Sequence, residues 1–314
     1  MNMFAKVFQR RNHIYWLSLL ISLFLIGCGP GNKGEESDGE SAAEETQEEI
    51  SLEDDITVVD IAKEDFERML NGLPEPTAVP EILMETGAKY NDALLNPASK
   101  AQDYMTTNNK AAINLGVLSA DLGYLCVYGK TQEAINYLSS SQKLVEHLGI
   151  ANAVHTSVMK RFEANLSNQD TLISLANQSV ELAKEYLNES ERFGNAALIA
   201  TGSLIEGLYI STGLVENYPK DLPEAERKAH LTGLIKSILD QKQALGDLVN
   251  VLSVLGDSDE DVIKTRDQIS ELFNMYDLIG IQEKMESDPD ALLTDETLKG
   301  ITAKVAEIRA DFVN

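Results

Sequence analysis

Positive charge, tryptophan, cysteine and proline are all scarce in this chain of 314 residues. It has 26 Lys+Arg against 51 Asp+Glu, a formal charge of −25, and no basic cluster beyond residue 13. Nucleic-acid binders displace counterions from phosphates with such clusters, so no nucleic-acid partner is expected. An anionic membrane surface would repel the body of the chain for the same reason. The two cysteines, Cys28 and Cys126, give no disulfide framework if Cys28 is used otherwise. Trp16, the one tryptophan, lies near the N-terminus. No proline occurs from Ala98 to Tyr218, a length that fits an all-helical body. At 43% apolar residues the chain can still bury a core, and its length suits one or two domains.

The first residues form a three-part pattern. Lys6, Arg10 and Arg11 make a positive start with no acid before Glu35, and an apolar run from Ile14 to Ile26 is too short for a typical spanning helix. Leu25-Ile26-Gly27-Cys28 follows. This resembles the lipobox of bacterial lipoproteins, which implies cleavage before Cys28, a signal peptide over 1–27 and lipid attachment at Cys28. Gly29 is not the aspartate that retains many such proteins at the inner membrane, so the resemblance implies an outer-membrane address. From Glu35 to Asp55 the chain carries 11 acids and no basic residue, so 28–57 reads as a self-repelling, disordered tether. Within it, Lys33-Gly34-Glu35-Glu36 resembles the short acidic signals that send lipoproteins of the Bacteroidota to the cell surface. A plain solvated spacer accounts for the same residues.

The remainder, 58–314, is expected to be one all-α domain: an elongated multi-helix bundle or irregular array of helical hairpins, with about ten helices and no sheet. Apolar residues recur at three- and four-residue intervals, as in Leu231, Leu234, Ile235, Ile238, Leu245 and Leu248. The spacing predicts helices near 60–71, 80–94, 98–128, 131–148, 150–166, 170–190, 192–216, 224–255, 259–280 and 294–312. Ala111 to Gly129 and Ala197 to Val215 are apolar nearly all round, each with one internal acid, Asp121 and Glu206. The acids and the Gly, Ser and Thr content favour central helices of a bundle over membrane spans. Ser119, Gly123 and Gly129 repeat the spacing of Ser203, Gly207 and Gly213, which raises an internal duplication or a close helix pair alongside coincidence. Leu125, Gly129, Ala134 and Leu138 fall where a tetratricopeptide repeat has its packing and turn residues. That resemblance covers one helix pair, with no 34-residue period after it, and an ordinary glycine-capped hairpin fits as well.

No catalytic set stands out. His147, His155 and His230 lack the spacing of a zinc or di-iron site, and no nucleophile elbow, phosphate loop or dinucleotide fingerprint occurs. No metal or cofactor is therefore expected, and Cys126 reads as a small buried residue. Tyr104, Tyr124, Tyr128, Tyr137, Tyr186 and Tyr209 are either core edges or pocket liners. Asp170-Thr171-Leu172 resembles a short O-glycan acceptor motif of some Bacteroidota, and a helix start explains it equally. Asp121 and Glu206 remain as candidate ligand or cation residues, because a carboxylate on an apolar helix must be paired, solvated or protonated. The expectation is a lipid-anchored envelope component that binds another protein. The alternative is a receptor for a small ligand or cation between the apolar helices.

Overall fold

A computed structural model describes Arg68 and residues 77–151, 156–189, 193–218, 222–255, 259–277 and 296–314. All lie in the compact unit Ser51–Asn314. The lipobox, the acidic tether, the helix expected near 60–71 and His155 lie outside the described residues, Arg68 excepted. Among those described the protein is all-α, with no strand.

Ten α-helices follow in chain order: α1 (Ala78–Glu85), α2 (Asn108–Val127), α3 (Thr131–His147), α4 (Thr156–Ala164), α5 (Gln169–Glu189), α6 (Phe193–Glu216), α7 (Glu224–Leu239), α8 (Lys242–Leu255), α9 (Glu260–Asp277) and α10 (Glu296–Val313). Two 3₁₀ turns, Asp92–Leu94 and Ala98–Tyr104, precede α2. The pair α2 and α6 forms the centre. α3 and α5 pack on α2; α7, α8 and α10 pack on α6; and α9 lies outside against α8 and α10. α1 touches α2, α6 and α7.

Two central helices need apolar surface on every side, which their sequences supply. Every residue of α2 from Ala111 to Val127 is buried except Ser119. Both helices are long and apolar enough to cross a membrane, yet most of each is buried inside the fold. Their hydroxyls are satisfied locally: Thr201, Ser211 and Thr212 each donate to the carbonyl four residues back, at 2.7, 2.7 and 2.8 Å.

At the crossing the backbones meet. A Cβ on Gly116 would strike the carbonyl of Ile199 and lie 2.6 Å from Ser203 N, and one on Gly202 would strike the carbonyl of Ile113. Positions 113 and 116 thus face 199–203 reciprocally. Asp121 and Glu206 interact further along both, so the helices run in the same direction. The close contact uses Gly116 and Gly202 and leaves Gly207 out, since Gly207 has no atom within 4 Å of where a Cβ would stand. Of the small residues in the repeated spacing, Ser203 thus lies at the contact through its backbone N, whereas Gly207 stands in open space.

Helix ends depart from the apolar pattern where capping decides. The stretch expected as one helix over 98–128 is a 3₁₀ turn and then α2, because extended Thr107 caps α2 by accepting from Lys110 N at 3.1 Å. The expected helix over 80–94 ends at Glu85, and Asn91 caps the following 3₁₀ turn. The expected helix over 224–255 is two, α7 and α8, broken at Asp240–Gln241. Apolar spacing continues across this break, from Ile238 to Leu245, so periodicity does not register it. The freed Ile238 carbonyl is held by Gln241 N (3.2 Å) and by the hydroxyl of buried Tyr276 (3.2 Å). At the α2–α3 turn, Gly129 has φ +66°, with Lys130 N donating to Leu125 O at 2.8 Å and Gly129 N to Cys126 O at 3.1 Å. Leu125, Ala134 and Leu138 are buried beside that turn, as a helical hairpin requires.

Gly116→Ala should lower the unfolding free energy by about 3 kcal/mol or more, because the added methyl meets backbone that cannot rotate away. Gly207→Ala, in open space on the same helix pair, should raise it by roughly 0.5–1 kcal/mol. Urea denaturation of both variants checks the crossing, and equal effects of the two would refute it.

Candidate functional site

The two candidate acids come together. Asp121 from α2 and Glu206 from α6 are both 0% exposed, and they share one buried cluster with Arg309 of α10. Arg309 presents a fork to Glu206, Nε to Oε2 at 3.0 Å and an Nη to Oε1 at 3.1 Å, a bidentate geometry a lysine could not reproduce. The guanidinium also lies 4.6 Å from the centre of the Tyr209 ring, one turn of helix beyond Glu206. The position a bound cation would take against Glu206 is filled by the chain's own guanidinium.

Asp121 is held on one side only. Its Oδ2 accepts from Asn96 N at 3.2 Å, while Oδ1 is buried and receives no donor among the described residues. Asn96 is itself fixed by the Tyr104 hydroxyl, with which its side chain exchanges hydrogen bonds at 3.0 and 3.1 Å. The cluster would carry two negative charges against one positive if both acids were ionised. Burial, and then the neighbouring Glu206, push Asp121 well above the usual carboxylate range. Burial raises Glu206 too, but the Arg309 hydrogen bonds oppose it, so of the two carboxyls, which hydrogen-bond each other, Asp121 is the one favoured to hold the proton.

The linkage has a definite sign. Folded Asp121 holds its proton to higher pH than the unfolded chain does. Its contribution is fully present below the unfolded chain's carboxylate pKa and is lost as pH rises toward the raised folded value.

A second polar set fastens the end of α10. Carbonyls in the last turn of a helix have no partner inside the helix. Here Asn114 Nδ2 donates to Phe312 O at 2.9 Å, Lys100 Nζ to Val313 O at 3.2 Å and Lys110 Nζ to Asn314 O at 3.1 Å. The two cations also suit the negative end of the α10 dipole. Neither Arg309 nor this clasp is legible in the sequence, since the partners stand about a hundred or more positions away with no local pattern.

The other candidates resolve as core or surface. Cys126 is buried and unpaired, and burial pushes its thiol up to about 12, far from a nucleophile's range. Tyr104 and Tyr124 are almost wholly buried, with Tyr124 accepting from Asn91 N at 2.9 Å. Tyr128 donates to Ala88 O at 2.8 Å and packs on Tyr124 with ring centres 4.7 Å apart. His147 is exposed in the last turn of α3, and no group of three or more His, Cys, Asp or Glu side chains stands ready for a metal among the described residues. Thr171 lies in the first turn of α5, its N–H donating to Asn168 Oδ1 at 3.1 Å, while Leu172 is in the core. Between α9 and α10 runs an open groove of ion pairs, where Lys304 Nζ bridges Glu271 at 2.6 Å and Glu307 at 3.0 Å.

Scans of protein-family models, curated proteins and solved structures find no match to this chain.

Arg309→Met should cost about 3–5 kcal/mol of stability by leaving Glu206 buried without its partner. Asp121→Asn, which keeps the shape and removes the titrating proton, should change neutral-pH stability by about 1 kcal/mol or less. Thermal and urea unfolding at pH 7 test the contrast; a mild Arg309→Met would mean that the fork contributes little.

Proposed function

We propose that this protein is a lipid-anchored component of a bacterial cell envelope, held by Cys28 at the outer membrane, whose helical domain binds another envelope protein. The observation that carries the anchor is Leu25-Ile26-Gly27-Cys28 behind a positive start and an apolar run. Several acyl chains on one residue suffice for stable attachment at about 0.8 kcal/mol per buried CH₂. The 11 acids between Glu35 and Asp55 favour an extended spacer that lets the domain reach away from the bilayer.

Protein binding is favoured over ligand capture because the chain itself supplies the cationic partner of Glu206. Glu206 gives both oxygens to Arg309. Outside the core, α1 exposes Ile82 and Met84 at 40% and 42%, side chains of the type that protein interfaces recruit. A second reading, a receptor for a small cation or ligand, has one observation on its side: the donor-free, buried Oδ1 of Asp121. A proton on Asp121 meets the same need.

Crosslinking in intact cells followed by pull-down should recover a stoichiometric envelope protein with the wild type. Cys28→Ala should shift the chain from the membrane to the soluble fraction and lose that partner. Membrane association that persists in fully processed Cys28→Ala would refute the anchor. A wild type recovered alone, with a small molecule retained in native mass spectrometry, would favour the receptor.

A further inference from the structure

The buried acids and the clasp on α10 are one device. Asp121 and Glu206 stand on helices locked by backbone contact at Gly116 and Gly202, where neither helix can withdraw without losing the crossing. Arg309 is the member of the cluster that reaches water, its side chain 15% exposed against 0% for Glu206. Arg309 is thus the point at which α10 links the cluster to solvent. The rest of that helix end is held by Lys100, Lys110 and Asn114 on main-chain carbonyls.

We propose that the single proton between Asp121 and Glu206 is a switch for the C-terminal helix: with it in place α10 is clasped on α2 and α6, and its loss opens α10. With Asp121 neutral, its carboxyl hydrogen-bonds Glu206, the Glu206–Arg309 fork is undisturbed and the cluster is charge-balanced. With Asp121 ionised, two buried carboxylates face one guanidinium, leaving a net negative charge with one oxygen unsatisfied. A buried uncompensated charge is costly, and hydration through the Arg309 side relieves it.

Tyr104 from the second 3₁₀ turn and Tyr137 from α3 are pushed up by burial and stay neutral. Tyr209 of α6 offers Arg309 the face of its ring, Asn96 offers Asp121 a main-chain N–H, and Asp103 interacts with Tyr104. Asp121 is thus the carboxyl whose ionisation the buried cluster opposes.

Hydrogen exchange of the full chain between pH 6 and pH 10, corrected for intrinsic amide chemistry, tests this. Opening of 296–314 should increase with pH, approaching about tenfold per unit, the signature of one released proton, while 169–189 in α5 serves as a steady reference. Asp121→Asn should abolish the rise. Glu206→Gln should abolish it as well, because Asp121 is then free to ionise against Arg309. A flat wild-type profile, or a rise that persists in either variant, would overturn the proposal. Should Asp121→Asn fail to fold, the wild type and Glu206→Gln still decide between these outcomes. The result is independent of whether an envelope partner is found.

Discussion

The contact between two helical backbones at Gly116 and Gly202 sets the terms for everything around it. Helices this close exclude side chains from the crossing, so residues a turn or two further on are brought into the interior whatever their chemistry. Apolar residues gain from that. Asp121 and Glu206 do not, and the fold must supply what water no longer does. α10 does so with Arg309, and the loop before α2 does so with Asn96. The buried acids thus tie a distant helix and a loop to the central pair.

Such an arrangement is not a strong source of stability. A buried ion pair loses hydration roughly as large as the attraction it gains, and well-packed apolar residues often serve as well or better. Its consequence is specificity: α10 has one register in which the fork meets Glu206 and its terminal carbonyls meet Asn114, Lys100 and Lys110. A purely apolar α10 face, such as Ile301, Val305, Ile308 and Phe312 would make alone, could slide by a turn with little change in buried area.

The same cluster bears on the functional reading. Convergent polar groups in a helical core usually invite the idea of a ligand, and the sequence invited it here through Asp121 and Glu206. The geometry turns the groups toward one another, with a guanidinium where a cation would stand. A chain that presents partners on its surface has no need for an interior cavity, and the envelope address implied by Leu25-Ile26-Gly27-Cys28 fits such a role.

The sequence by itself determined the all-α class, the two central helices and the tension in placing an acid on each. Those properties live in local spacing: a period of three to four apolar residues, the long gap without proline, one carboxylate in an otherwise apolar turn. Gly129 was legible as a turn because a positive φ asks for glycine locally. The breaks at Thr107 and at Asp240–Gln241 were not, since a cap or a two-residue turn can keep the apolar period running through it. Only the tertiary structure decided which glycines touch, that Arg309 answers Glu206, and that Asp121 is left beside Glu206 without a cation of its own. Each is a contact between positions far apart in the chain, set by the angle and register of helices that no local pattern encodes.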